Sequence, residues 1–245
     1  LNKGLDPLGQ VPEMTKITAS SHLLLIGSGR LAKHLEFYFT EKQISFSLWN
    51  RRQTESELNR HLQAATHVLL AITDSALHSF ISERLSGWKG TVTHFSGALN
   101  AQGAASAHPL MSFGPKLYSL ADYEKIHFVI SGAETLESLL PGLKNSYTLL
   151  SPQDKALYHA LCVLGGNFPV LLWSKMTEGF RSLGLPPDAQ QIYLEKIVEN
   201  FNRYGAQALT GPLVRKDHST IEMNLKALSG DPFQKVYSAF VEAYK

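Results

Sequence analysis

The sequence predicts an α/β fold, a parallel sheet with helices on both faces, followed by an all-α C-terminal domain. Three observations predict it. Between residues 22 and 150, short apolar runs alternate with amphipathic stretches, the pattern of strand–helix–strand units. A glycine-rich turn closes the first run. Beyond Ser151-Pro152 the short runs stop, and apolar residues recur at helical spacing.

Leu23 to Ile26 is wholly apolar. It is too short for a helix and reads as a strand buried on both faces. Gly27-Ser28-Gly29-Arg30-Leu31-Ala32 follows, a G-x-G-x-x-A sequence opening a helix whose inner face carries Leu31, Leu35, Tyr38 and Phe39. Gly27 permits the tight turn, Gly29 lets backbone approach a pyrophosphate, and Ala32 lets helix and strand pack closely. The helix N-terminus offers free N–H groups to the anion. In this setting the motif predicts a Rossmann-type dinucleotide site. A bare glycine turn is the alternative.

Residues 44–49 alternate Ile44, Phe46 and Leu48 as a second strand, ending in Asn50-Arg51-Arg52. An acid there would hold ribose hydroxyls and repel a 2′-phosphate. Asn does not repel it, and Arg binds phosphate bidentately. The pattern favours NADP(H) over NAD(H), against a plain solvated basic turn. Residues 55–62 read as a short helix. Residues 68–72 read as a strand whose end brings Ile72, Thr73 and Asp74 to the cofactor rim, with Asp74 or Ser75 capping the next helix. A fourth strand, 91–95, ends in Ser96, expected at the nicotinamide end or else a turn serine. His108 precedes Pro109 and is biased to extended backbone. Strands over 127–131 and 146–150 are expected to flank a helix over 134–140.

The chain has 245 residues and a formal net charge of +2. Nothing in that balance suggests nucleic-acid or membrane attraction, and no apolar run is expected to span a membrane. The single cysteine, Cys162, excludes an intramolecular disulfide and points to a reducing, cytoplasmic setting. Residues 1–13 read as an extension or linker without the apolar core of a signal peptide, with Met14 as the natural start. Residues 14–150 then form the nucleotide-binding domain, and 151–245 the helical substrate and dimerisation domain.

In that second half Ser151 caps a helix starting at Pro152. A broad apolar stripe from Ala156 to Leu172 is interrupted by Gly165, Gly166 and Pro169, which predicts a kink or close packing. Further helices are expected over 189–209, 219–228 and from 232 onward, with Thr210-Gly211-Pro212 as a break. The stripe is more than a small domain hides, so a homodimer is expected.

The segments IGSGRLA, HFSGAL, HPLMSF, YHALCVLGGNF and ALTGPLVRKDHSTIE carry a resemblance across residues 22–240. The chain resembles a Rossmann-like oxidoreductase family with a C-terminal helical domain of unknown function 2520. That family is similar to pyrroline-5-carboxylate reductases, deazaflavin-dependent NADP oxidoreductases, and 6-phosphogluconate and β-hydroxyacid dehydrogenases. The resemblance implies an NADP(H)-dependent hydride transfer. One departure stands out. The β-hydroxyacid dehydrogenases carry a catalytic Lys four residues before an Asn on the first long helix, but Val163 lies four before Asn167.

A carbonyl or imine reduction needs a proton source near neutral pH, and histidine is the usual choice. His22, His34, His61, His78 and His94 read as strand-edge or helix-surface residues. His159 is the preferred donor, with His108 second and Asn167 two turns along; a hydrogen-bonded structural histidine is the alternative. Ser112, Thr210, Gly211 and Arg215 are candidates for binding substrate, Arg215 through a carboxylate. The last three read equally as a helix end and restart. No metal-ligand spacing, nucleophile elbow or P-loop is present. The expected function is an NADP(H)-dependent oxidoreductase acting on a small carbonyl, imine or hydroxy compound between the domains. The alternative is a non-catalytic NADP(H)-binding sensor or assembly protein.

Overall fold

A computed structural model describes residues 21–244; the extension expected over 1–13, with Met14, lies outside the described residues. The chain divides into two compact units, Leu1–Phe168 and Pro169–Lys245. The first is built on a seven-stranded sheet of order β2-β1-β3-β4-β5-β6-β7. Its strands are β1 (Leu23–Ile26), β2 (Phe46–Trp49), β3 (His67–Leu70), β4 (Thr91–His94), β5 (Ala105–Pro109), β6 (Phe128–Ser131) and β7 (Tyr147–Leu149). Helices α1 (Arg30–Glu41), α2 (Glu55–Ala64), α3 (Asp74–Arg84) and α4 (Leu120–Glu124) join them.

The apolar runs form strands because both sheet faces are covered. Leu23 and Leu25 pack with Leu35, Tyr38 and Phe39 of α1, while Leu24 and Ile26 pack with Leu58 of α2 and Leu77 of α3. All pairs from β2 to β5 are parallel, but β6 runs antiparallel to β5. A parallel return needs a crossover, usually a full helix. The 110–127 connection carries only the five-residue α4, and β6 returns in the opposite direction.

One local expectation fails, and one strand was not foreseen. Residues 134–140 form turns, not a helix. Gly132 and Gly142 take left-handed backbone at either end, and Thr135 engages Ser138 locally. Leu136, Leu139 and Leu140 are still buried. Strand β5 was signalled only by extended backbone at His108, because Ala105, Ser106 and Ala107 carry no β-branched or alternating apolar pattern.

Ser151 accepts from the Gln153 N–H and caps the 3₁₀ turn Pro152–Asp154, which leads into α5 (Lys155–Cys162). A π-helical turn, Val163–Asn167, holds Gly165 and Gly166, with the Phe168 N–H bonded to the Val163 carbonyl. The wider turn accommodates Pro169, which lacks an N–H, without ending the helix. The helical run Pro152–Ser182 is long and apolar enough to cross a membrane by length and composition, contrary to the expectation of none. Its first turns nonetheless bond to the sheet unit, through Pro152 and Lys155.

The second unit contains most of α6 (Phe168–Ser182), then α7 (Pro187–Tyr204), α8 (His218–Ala227) and α9 (Phe233–Ala243). Asp217 caps α8 through the Thr220 N–H, and Lys175 pairs with Asp231. Its helices bury little. Among their described residues only Ile221 is buried, while Leu171, Ile192, Phe201, Met223 and Phe240 are exposed.

Candidate functional site

Strand β1 delivers Gly27 to the carboxyl edge of the sheet with φ 144°. A Cβ there would lie 2.3 Å from the Ala71 carbonyl oxygen, so the turn and the β3 end close only around glycine. Gly29 is the N-cap of α1; no side chain bonds the helix start and its first turn holds no acid. A Cβ on Gly29 would meet nothing within 4 Å. This is an open, electropositive helix end, as an incoming phosphate requires. Ala32 is buried beneath it.

A cavity of about 640 Å³ runs along this edge. Gly27, Ser28, Gly29, Arg30 and Leu31 line one part, Asn50 and Arg51 another, and Ile72 and Thr73 a third. Trp49 and Phe80 add an apolar wall, their rings 6.0 Å apart. The residues suit a dinucleotide: small at the phosphate turn, apolar beside a base, basic where β2 ends. The Asn50 side chain accepts from the Arg52 N–H at 3.1 Å and shapes the basic turn. Arg52 is exposed and outside the cavity lining. Arg30 donates to the Phe113 carbonyl at 3.1 Å, beside exposed Ser112.

Neither Asp74 nor Ser75 caps α3. Thr73 is its N-cap, with no side-chain cap bond. Asp74 instead accepts from Ser96 Oγ at 2.8 Å. That hydroxyl also accepts from the Ala98 and Leu99 N–H groups. Ser96 is therefore a fully engaged turn residue that ties β4 to α3.

Next to it lies a polar row crossing three strands. His94 pairs in register with Ser106, and Ser106 with Ser131. Lys155, 3 % exposed, donates to Ser106 Oγ at 2.6 Å. Burial lowers its ammonium to about 8, partly offset by the Asp74 carboxylate. Burial, reinforced by the Lys155 charge, lowers His94 to about 4. His108 is likewise lowered to about 4, by burial first, then by His159 and Lys155. Its Nδ1 lies 2.7 Å from the Tyr158 hydroxyl, whose own pKa burial raises.

His108 and His159 come together, ring centroids 5.8 Å apart. Gly97 permits it, since a Cβ there would lie 2.6 Å from His159 Nδ1. His159 Nδ1 and Ser131 Oγ are buried without partners among the described residues. Asn167 is exposed in the π turn. Thr210, Gly211 and Arg215 lie in the non-helical stretch before α8 in the second unit.

His94 and His34 are not surface residues. Both are buried, and His34 bonds the Tyr123 hydroxyl at 2.6 Å and the Gly114 carbonyl at 3.0 Å. Lys155 was missed. Its signal was position: it stands one helical turn before His159, as the absent lysine would stand before Asn167.

Residues 128–244 match the family described as a domain of unknown function, DUF2520. No curated protein matches the chain. Among solved structures the chain is similar to a candidate NADP oxidoreductase of Bacteroides fragilis, with 19% identity and a TM-score of 0.73 over 92% of this chain and 98% of that one. It is similar to protein TM1727 of Thermotoga maritima, with 22% identity and a TM-score of 0.63 over 91% and 96%. A reductive aminase of Aspergillus terreus, solved with NADPH and ethyl levulinate, aligns at 17% identity and a TM-score of 0.56 over 91% and 88%. These likenesses establish the Rossmann-like α/β fold.

Proposed function

We propose that the protein is an NADP(H)-dependent oxidoreductase acting on a small carbonyl, imine or hydroxy compound. The observation that carries this reading is the glycine-cornered cavity along β1–β3, with a buried polar row beside it at the end of β4. A bound nicotinamide would supply or accept the hydride. The Gly27–Gly29 turn and α1 would hold the pyrophosphate, and Arg51 a 2′-phosphate. The NADPH found with the Aspergillus terreus enzyme supports the same cofactor class.

His159 is the proposed proton donor, since its ring lies against Gly97 at the end of β4. His108, held neutral at physiological pH, serves as a hydrogen-bond donor rather than an acid. In this reading the protein works as a homodimer through its helical unit. The exposed Leu171, Ile192, Phe201 and Phe240 support that partner. It acts in the cytoplasm, where Cys162 stays reduced. The cleft beside Lys155, which leaves no space for even a water molecule, favours a second reading, a nucleotide-binding protein without turnover. NADPH consumption with a panel of oxo acids and cyclic imines separates the two. Turnover abolished by His159→Gln supports the enzyme, and binding without turnover on any member supports the second reading.

A further inference from the structure

Two imidazoles meet over Gly97. A Cβ on that glycine would lie 2.6 Å from His159 Nδ1 and 3.1 Å from His108 Nε2. His159 Nδ1 is buried, whereas His108 Nε2 makes no hydrogen bond among the described residues and is not closed off from solvent. The other nitrogen of His108 is taken. Nδ1 lies 2.7 Å from the Tyr158 hydroxyl, and the two rings stand edge to face with centroids 5.5 Å apart. Tyr158 and His159 are neighbours on α5, so one turn of helix carries the second histidine and grips the first.

A neutral imidazole carries one hydrogen, and the bond made at one nitrogen decides which nitrogen has it. His108 is lowered to about 4 by burial, then by His159 and Lys155 of α5, with Asp74 of α3 opposing. It is therefore neutral near pH 7, and only the place of its hydrogen is open. The Tyr158 hydroxyl also has one hydrogen to place. Burial raises its pKa, so that hydrogen stays on. Its recorded partner is His108 Nδ1. The Cys162 thiol, one helical turn along and the next group acting on the hydroxyl, is a weak acceptor. A bare imidazole nitrogen is the stronger one, so the hydroxyl donates and Nδ1 carries no hydrogen. The imidazole hydrogen is then on Nε2, the nitrogen turned to Gly97.

We propose that Tyr158 is a positioning residue: by donating to His108 Nδ1 it fixes the Nε2–H tautomer and turns a permanent donor toward the end of β4. The use made of that donor rests on the oxidoreductase reading. Hydride addition to a carbonyl builds negative charge on its oxygen, and an N–H already in place stabilises that charge without reorganising. A neutral imidazole keeps its hydrogen, so His108 orients and polarises while His159 gives the proton. With phenylalanine in place of Tyr158, His108 is free to carry its hydrogen on either nitrogen.

The test is the imidazole nitrogen NMR spectrum of the full chain at pH 7, with ring-labelled histidine and His108→Asn to assign the signals. The wild type should show Nε2 protonated and Nδ1 without a proton, its signal shifted by a hydrogen bond. In Tyr158→Phe the Nδ1 signal should move toward that of an unbonded nitrogen, and the Nδ1–H tautomer should grow in. A proton on Nδ1 in the wild type, or an unchanged His108 spectrum in Tyr158→Phe, overturns the proposal. If the variant does not fold, the wild-type spectrum decides alone. NADPH consumption is then followed with pyruvate, 2-oxobutyrate and 1-pyrroline. On a compound that is reduced, kcat should fall about tenfold in Tyr158→Phe with little change in KM, as for loss of one transition-state hydrogen bond. Unchanged kcat with the tautomer released overturns the positioning role. The spectrum needs neither cofactor nor substrate, so a fixed tautomer without turnover on any of the three defeats the oxidoreductase reading instead.

Discussion

Lys155→Met should stabilise the ligand-free protein at neutral pH, although it removes a hydrogen bond. The buried ammonium titrates at about 8 against an ordinary 10.5. At about 1.4 kcal/mol per pKa unit, its charge costs about 3 kcal/mol below pH 8. Methionine fills a similar volume without that charge. Removing the ammonium strands the Ser106 hydroxyl, at a cost of about 1 kcal/mol, so the net gain at pH 7 is about 2 kcal/mol. The folded pKa lies below the unfolded one, so the unfolded chain binds more protons between pH 8 and 10.5. Wild-type stability from this group therefore rises with pH across that window. The advantage of the variant should shrink from pH 8 upward, vanish at about pH 9.5 and reverse by about 1 kcal/mol at about pH 10.5, where the stranded Ser106 hydroxyl is the remaining difference. Asp74, His94 and His108 are the titratable groups that interact with Lys155. Urea unfolding in a Trp173→Phe background, read through Trp49 and Trp88, follows the first unit. A variant less stable than wild type at pH 7, or a difference independent of pH, would refute the reasoning.

Other outcomes follow from the same geometry. Gly27→Ala places a methyl 2.3 Å from the Ala71 carbonyl oxygen; it should lower stability by about 1–3 kcal/mol and weaken NADPH binding in titration. His94, lowered to about 4 chiefly by burial and further by Lys155 and His78, against Asp74, contributes stability present above pH 6.5 and lost as pH falls toward 4. That loss is up to about 3 kcal/mol, and acid unfolding of His94→Asn should show a shallower decline. Light scattering should give twice the chain mass at micromolar concentration; a monomer would contradict the homodimer.

What could be read from the sequence was local. Leu23–Ile26 had to be a strand because four apolar residues sit between a polar start and a glycine turn. The glycine and Asn50–Arg51 positions followed from it and line one cavity. What escaped was set by distant contacts. Lys155 looks like a surface residue until Ser106, 49 residues away, takes its ammonium. His34 and His94 each stand between a polar and an apolar residue, Lys33 and Leu35, Thr93 and Phe95, so their local sequence does not tell that both are buried. Strand β5 is legible only from its pairing with β4 and β6. Leu136, Leu139 and Leu140 carry helical spacing, but glycines at both ends turn the chain before a helix can form.

The central claim, a site built for a phosphorylated nicotinamide dinucleotide, meets its most direct test in a paired fluorescence titration with NADPH and NADH. NADPH should bind more tightly than NADH, and Arg51→Ala should remove most of the difference, about 1.5–3 kcal/mol for a charged phosphate contact. Equal affinities for the two nucleotides, or a preference untouched by Arg51→Ala, would contradict the account.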